Sequence, residues 1–208
     1  HHTIKDGIVM RLTQYDSFFL YDWSMKTPTK HWTPLWSQAM AKALINGQSY
    51  KNKTSCFTFK SYVKGNLLRL RFSNVSGKSS VLLGSVILWK NNISYVVTLD
   101  KNVSIVIPKG ELRYSDIIQI PIEIQDEIEV RMYFKTAVRD LNHTELNAKL
   151  FHSDQTKGNT TDAKQAHSNL GALMGIYTMV PTLDRIEIET NHEPKVIVAF
   201  GDSITAMN

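Results

Sequence analysis

The sequence has a single cysteine, Cys56, among 208 residues, so no disulfide can form within the chain. So little cysteine is typical of a reducing compartment and favours a cytoplasmic over a secreted location. No apolar run approaches the roughly 20 residues that cross a bilayer as a helix. We therefore expect no membrane partner.

The sequence also has no clustered metal ligands and no glycine-rich phosphate loop. Without a Cys/His cluster or a His-Glu-x-x-His pattern we expect no metal, and without such a loop no nucleotide cofactor. The 24 Lys and Arg residues are scattered among 19 acidic residues, for a net charge of +5. Because no basic stripe results, we expect no nucleic-acid partner.

The middle of the chain shows a hydrophobic period of two, from residue 54 to residue 135. Alternation of this kind is typical of strands with one buried face. The alternating apolar residues are Phe57 and Phe59; Leu68, Leu70 and Phe72; Val103, Ile105 and Ile107; and Ile128, Val130, Met132 and Phe134. Short strands joined by turns predict an antiparallel sandwich or jelly roll. Arg69 and Arg71 occupy polar positions of one strand, where we expect solvated side chains.

Two segments depart from this alternation. Residues 33–47 begin with a capping threonine and a proline and have apolar residues at i, i+4 and i+8, which predicts a short helix. Residues 137–171 are polar, and we expect an irregular functional loop there. His143 in this segment is a candidate for substrate contact, since so long a loop could lean over a crevice. The alternative is a histidine on the surface without a role.

The last stretch of the sequence carries the clearest chemical signal. Residues 195–200 are apolar without alternation, as in a strand buried on both faces of a parallel sheet. Gly201, Asp202 and Ser203 follow, where such a strand ends and a helix begins. Ligands bind at this position in open α/β sheets, so Ser203 is a candidate nucleophile, with the backbone N–H groups of the turn as oxyanion donors. The alternative is a serine that caps the next helix.

Residues 196–205 resemble the first block of the GDSL/SGNH hydrolases, reading Val-Ile-Val-Ala-Phe-Gly-Asp-Ser-Ile-Thr. The upstream region is similar to one branch of that superfamily, which carries an N-terminal β-domain and includes acetyl-xylan-esterase-like proteins. The similar stretches are Trp36-Ser37, residues 68–74, Gly77-Lys78, residues 84–86, residues 103–110 and Ser115-Asp116. In all, the resemblance spans residues 32–205.

The resemblance implies an acyl-ester hydrolase whose second domain has a flavodoxin-like α/β/α fold. Carried over by position, Ser203 is the nucleophile and donates one oxyanion hydrogen bond through its N–H, while Gly201 and Asp202 shape the turn. The family's other oxyanion donors and its Asp and His, three residues apart, belong to later blocks that have no counterpart here. Residues 206–207 also depart from the family, where many members have an acidic or bulky residue followed by Gly.

We therefore expect three regions: an N-terminal extension at 1–31, a sandwich or jelly-roll domain at 32–193, and the first strand and nucleophile turn of a truncated hydrolase domain at 194–208. The expected activity is hydrolysis of small acyl esters, chiefly acetyl esters and including those on sugars, without a cofactor. The C-terminal remainder of the hydrolase would supply the Asp and His as a second chain. The alternative is a non-catalytic carbohydrate-binding module, or a β-module that forms a homo-oligomer.

Overall fold

The computed structural model describes an all-β protein over the residues whose placement is defined. Side chains are described for residues 30–40, 50–136, 156–163 and 180–191. The backbone alone is described for residues 4–5, 8–9, 11–13, 20–22, 143–147, 152–155 and 177–179. Within these ranges every regular element is a strand, and no helix occurs.

The strands are numbered in chain order. The short strands before residue 23 are β1 (Ile4–Lys5), β2 (Ile8–Val9), β3 (Arg11–Thr13) and β4 (Leu20–Asp22). The others are β5 (His31–Ser37), β6 (Lys53–Lys60), β7 (Gly65–Ser73), β8 (Val81–Lys90), β9 (Ile93–Val97), β10 (Ile105–Ile107), β11 (Leu112–Tyr114), β12 (Ile118–Ile122), β13 (Glu127–Phe134), β14 (His143–Asn147), β15 (His152–Lys157), β16 (Tyr177–Pro181) and β17 (Leu183–Thr190).

Two antiparallel sheets form the body of the protein. Sheet I has five strands in the order β11-β7-β17-β5, and β12 continues the β11 edge by pairing with the other half of β7. Sheet II has six strands in the order β10-β8-β13-β6-β15, with β9 beside β10 on β8. Smaller two-stranded sheets join β1 to β2, β3 to β4 and β14 to β16.

The core lies between the two sheets, because alternate side chains of both point to a shared interior. Leu68, Leu70 and Phe72 of β7 are fully buried, and the same cluster contains Val130 and Phe134 of β13. The strands predicted from the period of two are confirmed as β6, β7, β10 and β13. The sandwich-like arrangement of antiparallel sheets is therefore observed, as the alternation predicts.

The helix predicted from residue 33 is wrong where the structure describes it. Residues 33–37 lie in β5, which pairs antiparallel with β17. Trp36 is buried, with its ring centroid 4.8 Å from that of Phe57. Pro34 is accommodated because β5 is an edge strand, and an irregularity in the β17 pairing falls beside it. Residues 38–40 have no regular structure, and the remainder of the predicted helix, residues 41–47, lies outside the described residues.

The irregular loop predicted at residues 137–171 is also wrong in part. It contains β14 and β15, and β15 pairs with β6 at the edge of sheet II. These strands are polar, and an edge strand needs no continuous apolar face, so the period of two is weak there. Other parts of the segment, including residues 164–171, lie outside the described residues.

Asn74 joins the end of β7 to the turn between β10 and β11. Its side chain is fully buried, and its Nδ2 donates to the carbonyl oxygens of Ser79, Ile107 and Pro108 at 2.9, 3.1 and 3.1 Å. The backbone carbonyl oxygen of Asn74 accepts hydrogen bonds from the backbone N–H groups of Gly77 and Gly110. A Cβ at Gly77 would overlap Asn74 Oδ1, so the glycine is a steric requirement of this arrangement.

Asp116 lies between β11 and β12 of sheet I and bonds to the turn after β9 of sheet II, so it joins the two sheets. Its carboxylate accepts from Thr98 Oγ1 at 2.6 Å and from the N–H groups of Lys101 and Asp100 at 2.7 and 3.1 Å. The hydrogen bond from Thr98, followed by that from the Lys101 N–H, lowers the pKa of Asp116 below its ordinary value. The carboxylate therefore holds the turn that follows β9 more strongly when it is ionised.

Replacing Asn74 with Ala is expected to destabilise the fold by about 2–4 kcal/mol, because three carbonyl groups lose their donor in a buried site. Urea unfolding followed by tryptophan fluorescence measures this change. Asn66→Ala is the matched control, since Asn66 is exposed in β7, the strand that Asn74 follows. Equal stability of the two variants would contradict the role assigned to Asn74.

Replacing Asp116 with Asn is expected to lower stability at neutral pH and to reduce the loss of stability in acid. A carboxylate with a lowered pKa stabilises the fold above its unfolded pKa, and this contribution disappears as pH falls through the folded pKa. The difference between wild type and variant should therefore shrink below about pH 4. Urea unfolding at pH values across this range measures it, with the exposed Glu123→Gln as control. A difference that does not depend on pH would refute the assignment.

Candidate functional site

The predicted nucleophile turn cannot be located in this structure. Gly201, Asp202 and Ser203 fall within residues 192–208, which lie outside the described residues. Their roles therefore stay predictions from the sequence. The described chain reaches Asn191, directly after the end of β17 in sheet I.

His143 lies at the start of β14, where it pairs with Pro181 of β16. Its predicted position in an irregular loop is therefore wrong, while its predicted contact with a substrate stays a prediction.

The outer face of sheet II carries a buried polar cluster that the sequence analysis missed. Its centre is Arg131 of β13, only 3% exposed, whose guanidinium carbon lies 4.8 Å from the ring centroid of Trp89. Arg131 donates through Nε and Nη2 to the two carboxylate oxygens of Glu129, at 2.5 and 3.2 Å. Its Nη1 donates to the carbonyl oxygen of Ala163 at 2.5 Å.

Residues 158–163 cover part of this outer face and form hydrogen bonds with the side chains of the cluster. Trp89 Nε1 donates to the carbonyl oxygen of Thr161 at 2.8 Å, and the hydroxyl groups of Ser85 and Thr161 lie 2.9 Å apart. Ser85, Trp89 and Arg131 share one face because each strand alternates with a period of two. The segment that covers them follows β15 and is distant in sequence, so no local pattern identifies this cluster.

An open cleft lies beside the covered cluster, and we call it the Arg131 cleft. It has a volume of about 280 Å³. The described residues that line it are polar or aromatic: Trp89, Lys90, Asn91, Asn92, Glu127, Glu129 and Arg131.

The hairpin between β8 and β9 places two amide groups at this cleft. Asn91 and Asn92 have φ angles of 49° and 61°, as a two-residue type I′ turn requires. Lys90 is held beside them by an ion pair with Asp126 at 2.5 Å and by a hydrogen bond to the Pro121 carbonyl oxygen. The turn therefore has a defined geometry at the mouth of the cleft.

The outer face of sheet I carries a second polar network, built on Arg69 and Arg71. The Arg69 guanidinium carbon lies 4.3 Å from the Trp32 ring centroid and 4.5 Å from that of Tyr114, and Arg69 pairs with Glu187 at 2.7 Å. The side chains of Arg69 and Arg71 are only 28% and 18% exposed. The prediction that both side chains are solvated is therefore wrong.

Arg71 makes a forked ion pair with Asp184 of β17. Nε and Nη2 donate to the two carboxylate oxygens at 2.9 and 2.8 Å. These hydrogen bonds raise the pKa of the Arg71 guanidinium above its ordinary value. Stacked rings and paired carboxylates hold both guanidinium groups, so this network stabilises the sheet.

The described residues contain no group of three or more His, Cys, Asp or Glu side chains placed to hold a metal ion. In the same part of the chain, no helix has the length and apolar character that crossing a membrane requires.

Comparison with known proteins adds no relative. The sequence matches no protein-family profile, and no curated protein matches it significantly.

Replacing Asp184 with Asn is expected to destabilise the fold by about 2 kcal/mol, since the half-buried Arg71 would lose its charged partner. Urea unfolding measures the change. Glu189→Gln is the control, because Glu189 pairs with the exposed Lys30, and surface pairs contribute about 0–1 kcal/mol. An Asp184→Asn variant no less stable than Glu189→Gln would show that the forked pair is dispensable.

Proposed function

We propose that this chain carries the nucleophile of a serine esterase of the SGNH type, with Ser203 as the attacking residue. The observation that carries this proposal is the buried-strand pattern of residues 195–200 followed directly by Gly-Asp-Ser-Ile-Thr. A β-sandwich in front of this motif agrees with the branch that the sequence resembles. The proposed substrates are small acyl esters, chiefly acetyl esters, including those carried by sugars.

We further propose that the sandwich is a jelly roll, and the strand order supports this. Sheet I reads β11/β12, β7, β17, β5, and sheet II reads β9/β10, β8, β13, β6, with β15 added at the edge. Along the chain, the successive strands β5, β6, β7 and β8 alternate between sheet I and sheet II. The later strands β12, β13 and β17 also alternate, when the added edge strand β15 is left out. Two interleaved Greek keys have this order.

The proposed chemistry is two-step acyl transfer. A general base takes the proton of Ser203 Oγ as the oxygen attacks the ester carbonyl, and backbone N–H groups of the turn stabilise the oxyanion. The alcohol leaves with a proton, and water then hydrolyses the acyl-enzyme and restores the serine. A serine hydroxyl needs an imidazole and a carboxylate to react. We place both in the C-terminal remainder of the hydrolase, as a second chain.

A non-catalytic carbohydrate-binding module is the second candidate, and the Arg131 cleft is the observation that favours it. The cleft lies on the sandwich itself and needs no residue of the nucleophile turn. Both functions can coexist, because a sandwich that binds a glycan can present its acyl groups to an attached hydrolase domain.

Replacing Ser203 with Ala is expected to lower kcat/KM for p-nitrophenyl acetate by at least about 1,000-fold, since the variant has no oxygen nucleophile. The assay uses this chain together with its C-terminal remainder. Ser80→Ala is the matched control, because Ser80 is an exposed serine of the sandwich. Equal rates for Ser203→Ala and wild type would refute the esterase and leave the binding module.

His143→Ala in the same assay tests the proposed contact with a substrate. Such a contact predicts a raised KM at an unchanged kcat, whereas a surface histidine without a role predicts no change in either. Unchanged KM and kcat would remove the proposed contact.

A further inference from the structure

We propose that the Arg131 cleft binds one unit of a neutral carbohydrate. The proposal deepens the binding function of the sandwich and does not depend on Ser203. It rests on the charge balance of the cleft, on the geometry of its polar groups and on its size.

The lining charges of the cleft cancel. Lys90 and Arg131 contribute two positive charges, and Glu127 and Glu129 contribute two negative ones. Each cation is already engaged by a carboxylate, Lys90 by Asp126 and Arg131 by Glu129. Counting Asp126, three carboxylates outnumber the two cations, so the summed field disfavours a bound anion. A neutral polar ligand meets no such repulsion.

The polar groups of the cleft suit hydroxyl groups. A hydroxyl both donates and accepts, and the cleft offers acceptors on Glu127 and Glu129 and both functions on the Asn91 and Asn92 amides. Planar carboxylate and guanidinium groups bind two neighbouring polar atoms at once. The bonds of Arg131 to Glu129 and Ala163 use three of its five N–H groups. Adjacent hydroxyl groups of a sugar ring match this arrangement.

Arg131 and Trp89, on one side of the cleft, are held in place before any ligand binds. Arg131 is held by the Trp89 ring, by the forked carboxylate of Glu129 and by the Ala163 carbonyl, and the indole of Trp89 is itself bonded to Thr161. Side chains fixed in this way lose little conformational entropy when they bind.

The size of the cleft limits the ligand. A volume of about 280 Å³ corresponds to roughly nine waters, and it lies just below the usual range for drug-sized ligands. One pyranose or furanose unit fits this space, and the open side at the exposed Asn91, Asn92 and Glu127 lets a longer glycan continue outward. We therefore expect recognition of a single unit, with weak affinity in the millimolar range.

Titration of the ¹⁵N-labelled chain with methyl β-D-glucopyranoside and methyl β-D-xylopyranoside tests the proposal by NMR. The indole N–H signal of Trp89, assigned with Trp89→Phe, should shift and saturate with at least one of these neutral glycosides. Methyl β-D-glucuronide is the anionic comparison with the same ring, and it should bind at least about tenfold more weakly. No saturating shift with either neutral glycoside, or tighter binding of a charged probe, would overturn the proposal.

Variants locate the binding. Glu127→Ala and Asn92→Gly should each weaken it about five- to tenfold, since each removes hydrogen bonds while the glycine keeps the positive φ of the turn. Glu123→Ala is the matched control, because Glu123 is equally exposed but does not line the cleft. Loss of binding in the control to the same degree, or none in both cleft variants, would contradict this location. Ser203→Ala should bind normally, which keeps this result independent of the esterase assay.

Discussion

The burial of alternate side chains between two sheets is the constraint on which the rest of the structure depends. Leu68, Leu70 and Phe72 face Val130 and Phe134 across one core, and a shift of one residue in either sheet would turn these side chains to solvent. Apolar burial contributes about 25 cal/mol per Å², so the register of each central strand is strongly fixed. The remaining side chains of the same strands must then point to the outer faces of the two sheets.

Charged residues consequently lie on the two outer faces. The two faces differ in how these charges are paired and covered. On sheet I, Arg69 and Arg71 are stacked on aromatic rings and paired with Glu187 and Asp184, which closes the surface. On sheet II, Arg131 is paired and covered on one side only, and a cleft remains beside it. The same alternation therefore produces a stabilising network on one sheet and a concave polar surface on the other.

The sequence predicts the central strands well because their period follows directly from burial. It fails for β5, where the local helix signals of residues 33–37 are overridden by pairing with β17, about 150 residues later in the chain. It fails for β15 because an edge strand carries no apolar alternation. The Arg131 cluster depends on Thr161 and Ala163, which no local pattern connects to Trp89. Ser203, by contrast, is a prediction of local sequence alone and stays one.

The upstream stretches that resemble the hydrolases do structural work in this fold. Asn74 and Gly77 form a buried turn, Ser115 bonds to the Leu70 N–H, and Asp116 holds the turn after β9. These side chains stabilise turns and strand ends of the sandwich, whatever the sandwich binds or catalyses. Their similarity therefore supports the architecture and is neutral about chemistry. Catalysis is proposed from the nucleophile turn alone and binding from the cleft, so the two proposals are independent of each other.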